Sequence, residues 1–114
     1  KARHFCVFDE LYSGTNPYEA IGSAASFLQY LATNKNISFI ITTHFIGLCQ
    51  RLSKNDYTKN CHMKTNENNE GLKYTYKLND GISNVKGGVH VMRDLEYPSE
   101  IVDAAKRIIK EITL

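Results

Sequence analysis

Three side chains suited to phosphate and metal chemistry follow two apolar segments of the chain. Residues 4–10 read His-Phe-Cys-Val-Phe-Asp-Glu, so an apolar run leads directly into the carboxylates of Asp9 and Glu10. A second apolar run covers residues 37–43, and His44 follows it. Two adjacent carboxylates repel each other and cost desolvation, and a nucleotide-bound Mg²⁺ ion is the commonest compensation. One carboxylate then serves the metal, while the next orients or activates a water.

Each part of this pattern also has a simpler interpretation. Asp9 and Glu10 could end a strand in an ordinary turn whose carboxylates cap a nearby helix. His44 could be a structural histidine that bonds a backbone carbonyl. Their joint occurrence favours the phosphate interpretation, because the carboxyl ends of neighbouring parallel strands meet at one crevice. A histidine there can donate a hydrogen bond to a γ-phosphate oxygen or to the attacking water.

The residues between the two apolar runs predict the helix that a parallel strand pair needs. Asn16 is a good N-cap, Pro17 suits the first helical position, and Glu19 completes a capping box. We expect the helix to continue to about Thr33, with these residues on its inner stripe: Ile21, Ala24, Ala25, Leu28 and Leu31. Strand, helix and strand in this order form a right-handed crossover, and such apolar runs are typical of buried inner strands.

The rest of the chain predicts an antiparallel pair and further helices. We expect a short helix over residues 45–53, two antiparallel strands at 57–64 and 72–78, and a polar hairpin loop at 65–71. A short helix at 89–95 precedes a last helix that starts near Pro98 and has an apolar face of Ile101, Ala105, Ile108, Ile109 and Ile112. The predicted fold is α/β, with a mostly parallel sheet, an antiparallel addition and flanking helices.

Length and composition restrict the classes that fit. With 114 residues the chain is at most one small domain, and a net charge of +2 is too mild to indicate nucleic-acid binding by this segment alone. The three cysteines include no CxxC pair, and no apolar stretch is long enough to cross a bilayer. We therefore expect an intracellular, reduced protein without a membrane span. Cys61 and His62 would point to opposite faces of a strand and form a poor metal pair.

The carboxylates form only half of a nucleotide site. No glycine-rich phosphate loop of the form GxxxxGK[ST] occurs in the sequence, and the chain begins with Lys1. We expect the chain to be a fragment whose phosphate loop lies in sequence that precedes it.

The motifs together resemble the MutS family of DNA mismatch-repair ATPases. The matching features are the apolar strand with Asp9-Glu10, the Ser-Gly-Thr-Asn segment at residues 13–16, and Thr43-His44. Downstream, residues 60–63 resemble the family's Asn-x-His-hydrophobic strand, residues 76–81 its aromatic-bearing strand with a Gly turn, and residues 98–109 its Pro-led helix. The resemblance covers essentially the whole chain. It implies the carboxyl-terminal half of a P-loop (ABC-type) ATPase domain, from the Walker B strand onward.

The resemblance implies a role for each matching residue. Asp9 would help to hold Mg²⁺ through water, Glu10 would polarise the attacking water, and His44 would sense the γ-phosphate. The loop that crosses the dimer interface would consist of Ser13, Gly14, Thr15 and Asn16. Tyr76 would lie near the adenine, although packing on the core is an equally good interpretation of a strand aromatic.

For the complete protein, the resemblance implies Mg²⁺-dependent ATP hydrolysis that drives a dimeric clamp on mismatched or branched DNA. It also implies a homo- or heterodimer through the ATPase domain, a MutL-type partner, and a location in the cytoplasm or in a nucleus. The isolated fragment would be inactive. The chain departs from the family at Tyr12-Ser13, Asn16-Pro17 and residues 86–88, which indicates a divergent member. Two alternatives stay open: another ABC-type ATPase of DNA maintenance or transport, and a non-catalytic interaction module that keeps the half-fold.

Overall fold

The computed structural model describes residues 2–68, 71–83 and 87–112, which form two compact units rather than one. The first unit extends to Asn60 and the second begins at Cys61. The elements of the first unit are β1 (His4–Asp9), α1 (Pro17–Ala32), β2 (Ile37–Thr42) and α2 (Ile46–Leu52). Those of the second are β3 (Cys61–Asn68), β4 (Gly71–Asp80), α3 (Gly87–Asp94) and α4 (Ser99–Glu111).

β1 and β2 form a parallel pair joined by α1, as the sequence predicts. Their register runs from His4 opposite Ile37 to Asp9 opposite Thr42. The two strands therefore end at the same level, and the residues after them share one edge. The predicted βαβ crossover is confirmed, and it positions the candidate site.

Helix α1 begins and ends where the sequence signals place it. The Asn16 side chain accepts hydrogen bonds from the backbone N–H groups of Tyr18, at 2.9 Å, and Glu19, at 3.4 Å. These bonds satisfy two of the donors that a helix start leaves without intrahelical partners. The loop that carries candidate site residues thus leads into a fixed helix start.

The core of the first unit lies between α1, α2 and one face of the parallel pair. Leu28 and Leu48 are fully buried, and the cluster also contains Ala24, Ala25 and Leu52. Phe8 on β1 meets Phe27 on α1 edge to face, with ring centroids 5.6 Å apart. Burying one such leucine side chain contributes roughly 1.5–3 kcal/mol. This packing anchors both strands beneath the edge that carries the carboxylates.

The opposite face of the parallel pair is open, so the expectation of a strand buried on both faces is wrong for this chain. Phe5, Val7 and Ile40 are each more than half exposed. In the first unit, α1 and α2 pack against the other face of the pair, where Phe8, Phe39 and Ile41 meet the buried cluster. Strand residues alternate between faces, so every second apolar side chain is left uncovered.

The second unit is built on an antiparallel hairpin whose bounds differ from the prediction. Residues 57–60 are not strand, because the Asn55 side chain accepts the Tyr57 N–H at 2.8 Å in a turn. The polar residues 65–68, predicted as loop, instead pair with β4, from Thr65 opposite Tyr74 to Asn68 opposite Gly71. Asn69 and Glu70, at the predicted loop, lie outside the described residues. In the described parts of the chain, the hairpin is a separate two-stranded sheet rather than an addition to the parallel pair.

Two helices complete the second unit. Helix α3 starts two residues before its predicted position, and Lys86, in one of the departures from the family pattern, lies outside the described residues. Helix α4 follows Pro98 as predicted and buries Val102. Val102 was not part of the predicted apolar face. Of that face, Ala105 and Ile109 are partly buried, and three side chains remain about half exposed: Ile101, Ile108 and Ile112. None of the described helices combines the length and the apolar character that crossing a bilayer demands.

Candidate functional site

The carboxyl ends of β1 and β2 hold the acidic residues in a defined arrangement. The Glu10 N–H donates to the Thr42 carbonyl oxygen at 2.9 Å, which extends the parallel pairing one residue past β1. The Thr42 hydroxyl donates to Asp9 Oδ1 at 2.5 Å. Thr42 of the neighbouring strand therefore binds both the backbone of Glu10 and the side chain of Asp9.

Glu10 and His44 form a direct contact at this edge. His44 Nε2 lies 2.6 Å from Glu10 Oε1, with the His44 side chain 90% exposed and the Glu10 side chain 41% exposed. The predicted proximity of Glu10 and His44 is confirmed. A surface pair of this kind contributes little to stability, so its partners can exchange it for contacts with a ligand at small cost.

The turn after β1 passes through the left-handed backbone region twice without glycine. Glu10 has a φ of 51° and Tyr12 a φ of 62°. The turn is closed by hydrogen bonds from the Ser13 N–H to the Glu10 carbonyl, at 3.1 Å, and from the Thr15 N–H to the Tyr12 carbonyl, at 3.3 Å. Residues with a Cβ atom adopt this conformation at a cost, and such strain concentrates at functional sites. The geometry is consistent with a turn that is shaped to aim the Glu10 carboxylate.

The predicted interface loop is exposed and continues directly into α1. Ser13, Gly14 and Thr15 face solvent, and the Thr15 hydroxyl donates to the Glu19 carboxylate at 3.4 Å. Asn16 is also exposed, but its side chain is engaged as the helix cap. The structure therefore gives Asn16 a structural role and leaves Ser13, Gly14 and Thr15 facing solvent.

Tyr76, predicted near an adenine, lies on β4 of the second unit. Tyr76 is 82% exposed and its φ is 58°, at an irregularity where the pairing with β3 shifts between Met63 and Thr65. The Thr75 hydroxyl donates to the Lys64 carbonyl at 2.7 Å at the same irregularity. Packing on the core, the alternative for this tyrosine, is wrong for the described structure, because the ring projects into solvent.

Asn60, His62 and His90 have structural partners. The Asn60 side-chain amide donates to the Cys49 carbonyl at 2.8 Å. His62 Nδ1 lies 2.9 Å from the Gly81 carbonyl oxygen, and His90 Nε2 lies 3.2 Å from Glu67 Oε1. These contacts, together with the position of β3, give Asn60, His62 and His90 structural roles in the fold.

Comparison with known proteins identifies the family. The family model described as MutS domain V matches residues 1–113. The chain belongs to the MutS domain V family. The predicted resemblance is thereby confirmed at the level of the family.

Relatives of the chain carry the name DNA mismatch repair protein MutS. The Aquifex pyrophilus protein is 29% identical over 96% of this chain, and the Orientia tsutsugamushi (strain Ikeda) protein is 31% identical over 96%. The Bacillus subtilis protein is 26% identical over 93%. The chain spans only 12–13% of the length of these relatives.

The donor set of this MutS domain V chain fits a magnesium ion shared with a nucleotide. Among the described residues, no group of three or more histidine, cysteine, aspartate or glutamate side chains could enclose a metal by itself. Mg²⁺ in nucleotide sites instead takes one or two carboxylates, substrate phosphates and waters. Asp9 is exposed and carries one carboxylate oxygen that is engaged by Thr42, so its other oxygen suits such an ion.

Sequence reasoning missed Thr42. It treats the residue as the penultimate member of an apolar run, because the partner Asp9 lies 33 positions away in the sequence. The available signal is the register of the parallel pair, which places a hydroxyl residue opposite Asp9 once the two strands are aligned at their ends.

Proposed function

We propose that the chain supplies part of the ATP-hydrolysing site of a MutS-type DNA mismatch repair protein. The observation that supports this best is the Glu10–His44 contact of 2.6 Å beside Asp9, at the carboxyl edge of a parallel pair. Phosphoryl transfer to water needs three protein groups near the γ-phosphate. They are a carboxylate that orients the attacking water, a carboxylate that binds the metal, and a hydrogen-bond donor to the phosphate. In this proposal β1 is the Walker B strand of an ABC-type ATPase domain whose phosphate loop lies outside these 114 residues.

In the proposed reaction each side chain has a separate task. Asp9 would help to hold Mg²⁺ through water with the carboxylate oxygen that Thr42 does not engage, and the ion would neutralise phosphate charge when it is bound. Glu10 accepts a hydrogen bond from the attacking water and orients it toward the γ-phosphorus. His44 donates from Nε2 to a γ-phosphate oxygen. Because Nε2 lies against Glu10 in the described structure, nucleotide binding would transfer this donor from the carboxylate to the phosphate and leave Glu10 for the water.

The proposal extends to the other predicted residues through the family likeness. We place Ser13, Gly14, Thr15 and Asn16 in a loop at the ATPase dimer interface, and the exposure of the first three supports this. We place the exposed Tyr76 ring against the adenine, where stacking contributes through its π face. Mismatched DNA, a second subunit and a MutL-type protein would be partners of the complete intracellular protein.

Replacement of Glu10 tests the catalytic proposal. In the full-length protein we expect Glu10→Gln to reduce ATP turnover at least 100-fold, on the order of the loss of a general base, while ATP binding is retained. Glu111→Gln makes the same charge change at the end of α4 and serves as the control. Unchanged turnover in Glu10→Gln would favour the non-catalytic interaction module.

His44→Ala separates the phosphate contact from the water contact. We expect it to slow turnover and also to weaken the discrimination between ATP and ADP, since Nε2 would contact only the γ-phosphate. Binding of both nucleotides is measured by titration with fluorescent analogues. If the variant discriminates between ATP and ADP as strongly as the parent does, the role of His44 is contradicted.

A further inference from the structure

We propose that Thr42 is a positioning residue that orients the Asp9 carboxylate for Mg²⁺. The inference rests on the proposed function, because it concerns the same ATPase site. It also goes further, since it assigns a role to a residue that no motif identifies. Its basis is a pair of hydrogen bonds at the end of the parallel pair.

The Thr42 hydroxyl lies between the two acidic residues. It donates to Asp9 Oδ1 at 2.5 Å, and the Glu10 N–H reaches its oxygen at 3.3 Å in addition to the Thr42 carbonyl at 2.9 Å. An N–H group can only donate and a carboxylate can only accept, so the direction of both bonds is determined. The Thr42 hydroxyl therefore accepts a hydrogen bond from the Glu10 N–H and donates one to Asp9.

This arrangement restricts the Asp9 carboxylate. Rotation of the carboxylate would break a bond of 2.5 Å, so Oδ1 stays on Thr42 and the other oxygen stays available to a metal or to a metal-bound water. Threonine is β-branched and has few χ1 rotamers, which holds the hydroxyl in place. Partners that orient a metal ligand in this way typically change metal affinity by about 10- to 100-fold when they are removed.

The neighbouring Thr43 shows that the position of the hydroxyl matters. Its oxygen accepts the Phe45 N–H at 3.0 Å, a bond that shapes the entry into α2. Thr42 is oriented toward β1, whereas Thr43 is bonded to its own chain segment. Two adjacent threonines thus serve different elements, and only Thr42 contacts the carboxylate.

The test measures Mg²⁺ dependence without turnover. The full-length Glu10→Gln protein is titrated with a fluorescent ATP analogue at a series of Mg²⁺ concentrations. We expect Thr42→Val in this background to raise the Mg²⁺ concentration for half-maximal binding by about tenfold. We expect Thr42→Ser to stay close to the parent, because it keeps the hydroxyl. Thr33→Val is the matched control, since its hydroxyl donates to the Tyr30 carbonyl at the end of α1, at 2.7 Å.

The outcomes separate this inference from the proposed function. If the Glu10→Gln parent shows no Mg²⁺-dependent nucleotide binding, the proposed ATPase site is wrong. If the parent binds normally and Thr42→Val matches it, the positioning role of Thr42 is wrong. A loss that is as large in Thr42→Ser as in Thr42→Val also contradicts the inference, because the methyl group would then be the important part. Circular dichroism checks folding, and if Thr42→Val is unfolded, Thr42→Ala is titrated in its place under the same criteria.

Discussion

At the scale of single residues, the candidate site combines favourable contacts with a backbone cost. Left-handed conformations at Glu10 and Tyr12 each cost on the order of 1–3 kcal/mol for residues with a Cβ atom. The bond from the Glu10 N–H to Thr42 and the burial of the helices beneath the edge offset this cost. The chain therefore keeps a strained turn where a carboxylate must be aimed, which agrees with a functional origin of the strain.

The cysteines provide a prediction about residue environments. Burial raises the pKa of the Cys49 thiol above its usual value of 9.0, so its reactive thiolate is scarcer at any pH below that pKa. Cys61 is exposed on β3. We expect iodoacetamide at pH 8 to modify Cys61 first and Cys49 much later.

Mass spectrometry of peptides at timed intervals measures the two rates. Urea-unfolded protein is the control, because both thiols should then react at similar rates. Faster modification of Cys49 than of Cys61 in the folded protein would contradict the described packing of α2.

At the scale of elements, the sequence was most informative where local signals agree with tertiary packing. Capping residues and an apolar stripe predicted α1, and an apolar run predicted β2, each to within about one residue. Residues 65–68 were misplaced because polar side chains have no hydrophobic period, and their strand conformation depends on the pairing with β4. Thr42 was missed for the same reason. Its role depends on a partner on another strand, which local patterns do not contain.

Gly22 predicts a stabilising substitution in α1. It lies inside the helix, and a Cβ atom there would meet nothing within 4 Å. We expect Gly22→Ala to stabilise the helix by about 1 kcal/mol, because alanine loses less conformational freedom than glycine on folding. Amide hydrogen exchange of the α1 peptides in the full-length protein should slow by roughly fivefold. Gly81→Ala is the contrasting variant: its φ of 100° disfavours a Cβ atom, so faster exchange is expected at the end of β4.

The contact between β3 and α3 predicts a destabilising substitution in the second unit. His90 is only 9% exposed, and among the described residues its Nδ1 atom is buried without a hydrogen-bond partner. Glu67 partners the other ring nitrogen. We expect Glu67→Ala to destabilise this unit by about 1–3 kcal/mol, because a buried polar group loses its partner. Glu67→Gln keeps a hydrogen-bond acceptor and should lose less stability. Equal amide hydrogen exchange rates for α3 in the parent, Glu67→Ala and Glu67→Gln proteins would contradict the role of this contact.

At the scale of the whole molecule, the exposed apolar surface and the lack of a phosphate loop in these 114 residues both lead us to expect that the chain by itself is inactive. Phe5, Val7 and Ile40 are uncovered on the parallel pair, and Ile101 and Ile108 are about half exposed on α4. Within the first unit, the exposed Val7 and Ile40 lie opposite each other on neighbouring strands, and exposed apolar surface of this kind marks interaction surfaces in soluble proteins. The chain also spans only 12–13% of its relatives and includes no GxxxxGK[ST] segment.

We therefore expect the 114-residue chain, produced by itself, to bind ATP weakly and not to hydrolyse it. Asp9, Glu10 and His44 can act on a metal, a water and one phosphate, but a nucleotide is held mainly by backbone N–H groups and a lysine of a phosphate loop. The measurements are titration with a fluorescent ATP analogue and phosphate release, with Glu10→Gln of the same chain as the control for contaminating ATPases. Phosphate release that is fast in the isolated chain and absent in Glu10→Gln would show that these residues form a sufficient site. That result would overturn the view that catalysis needs a phosphate loop from another part of the protein.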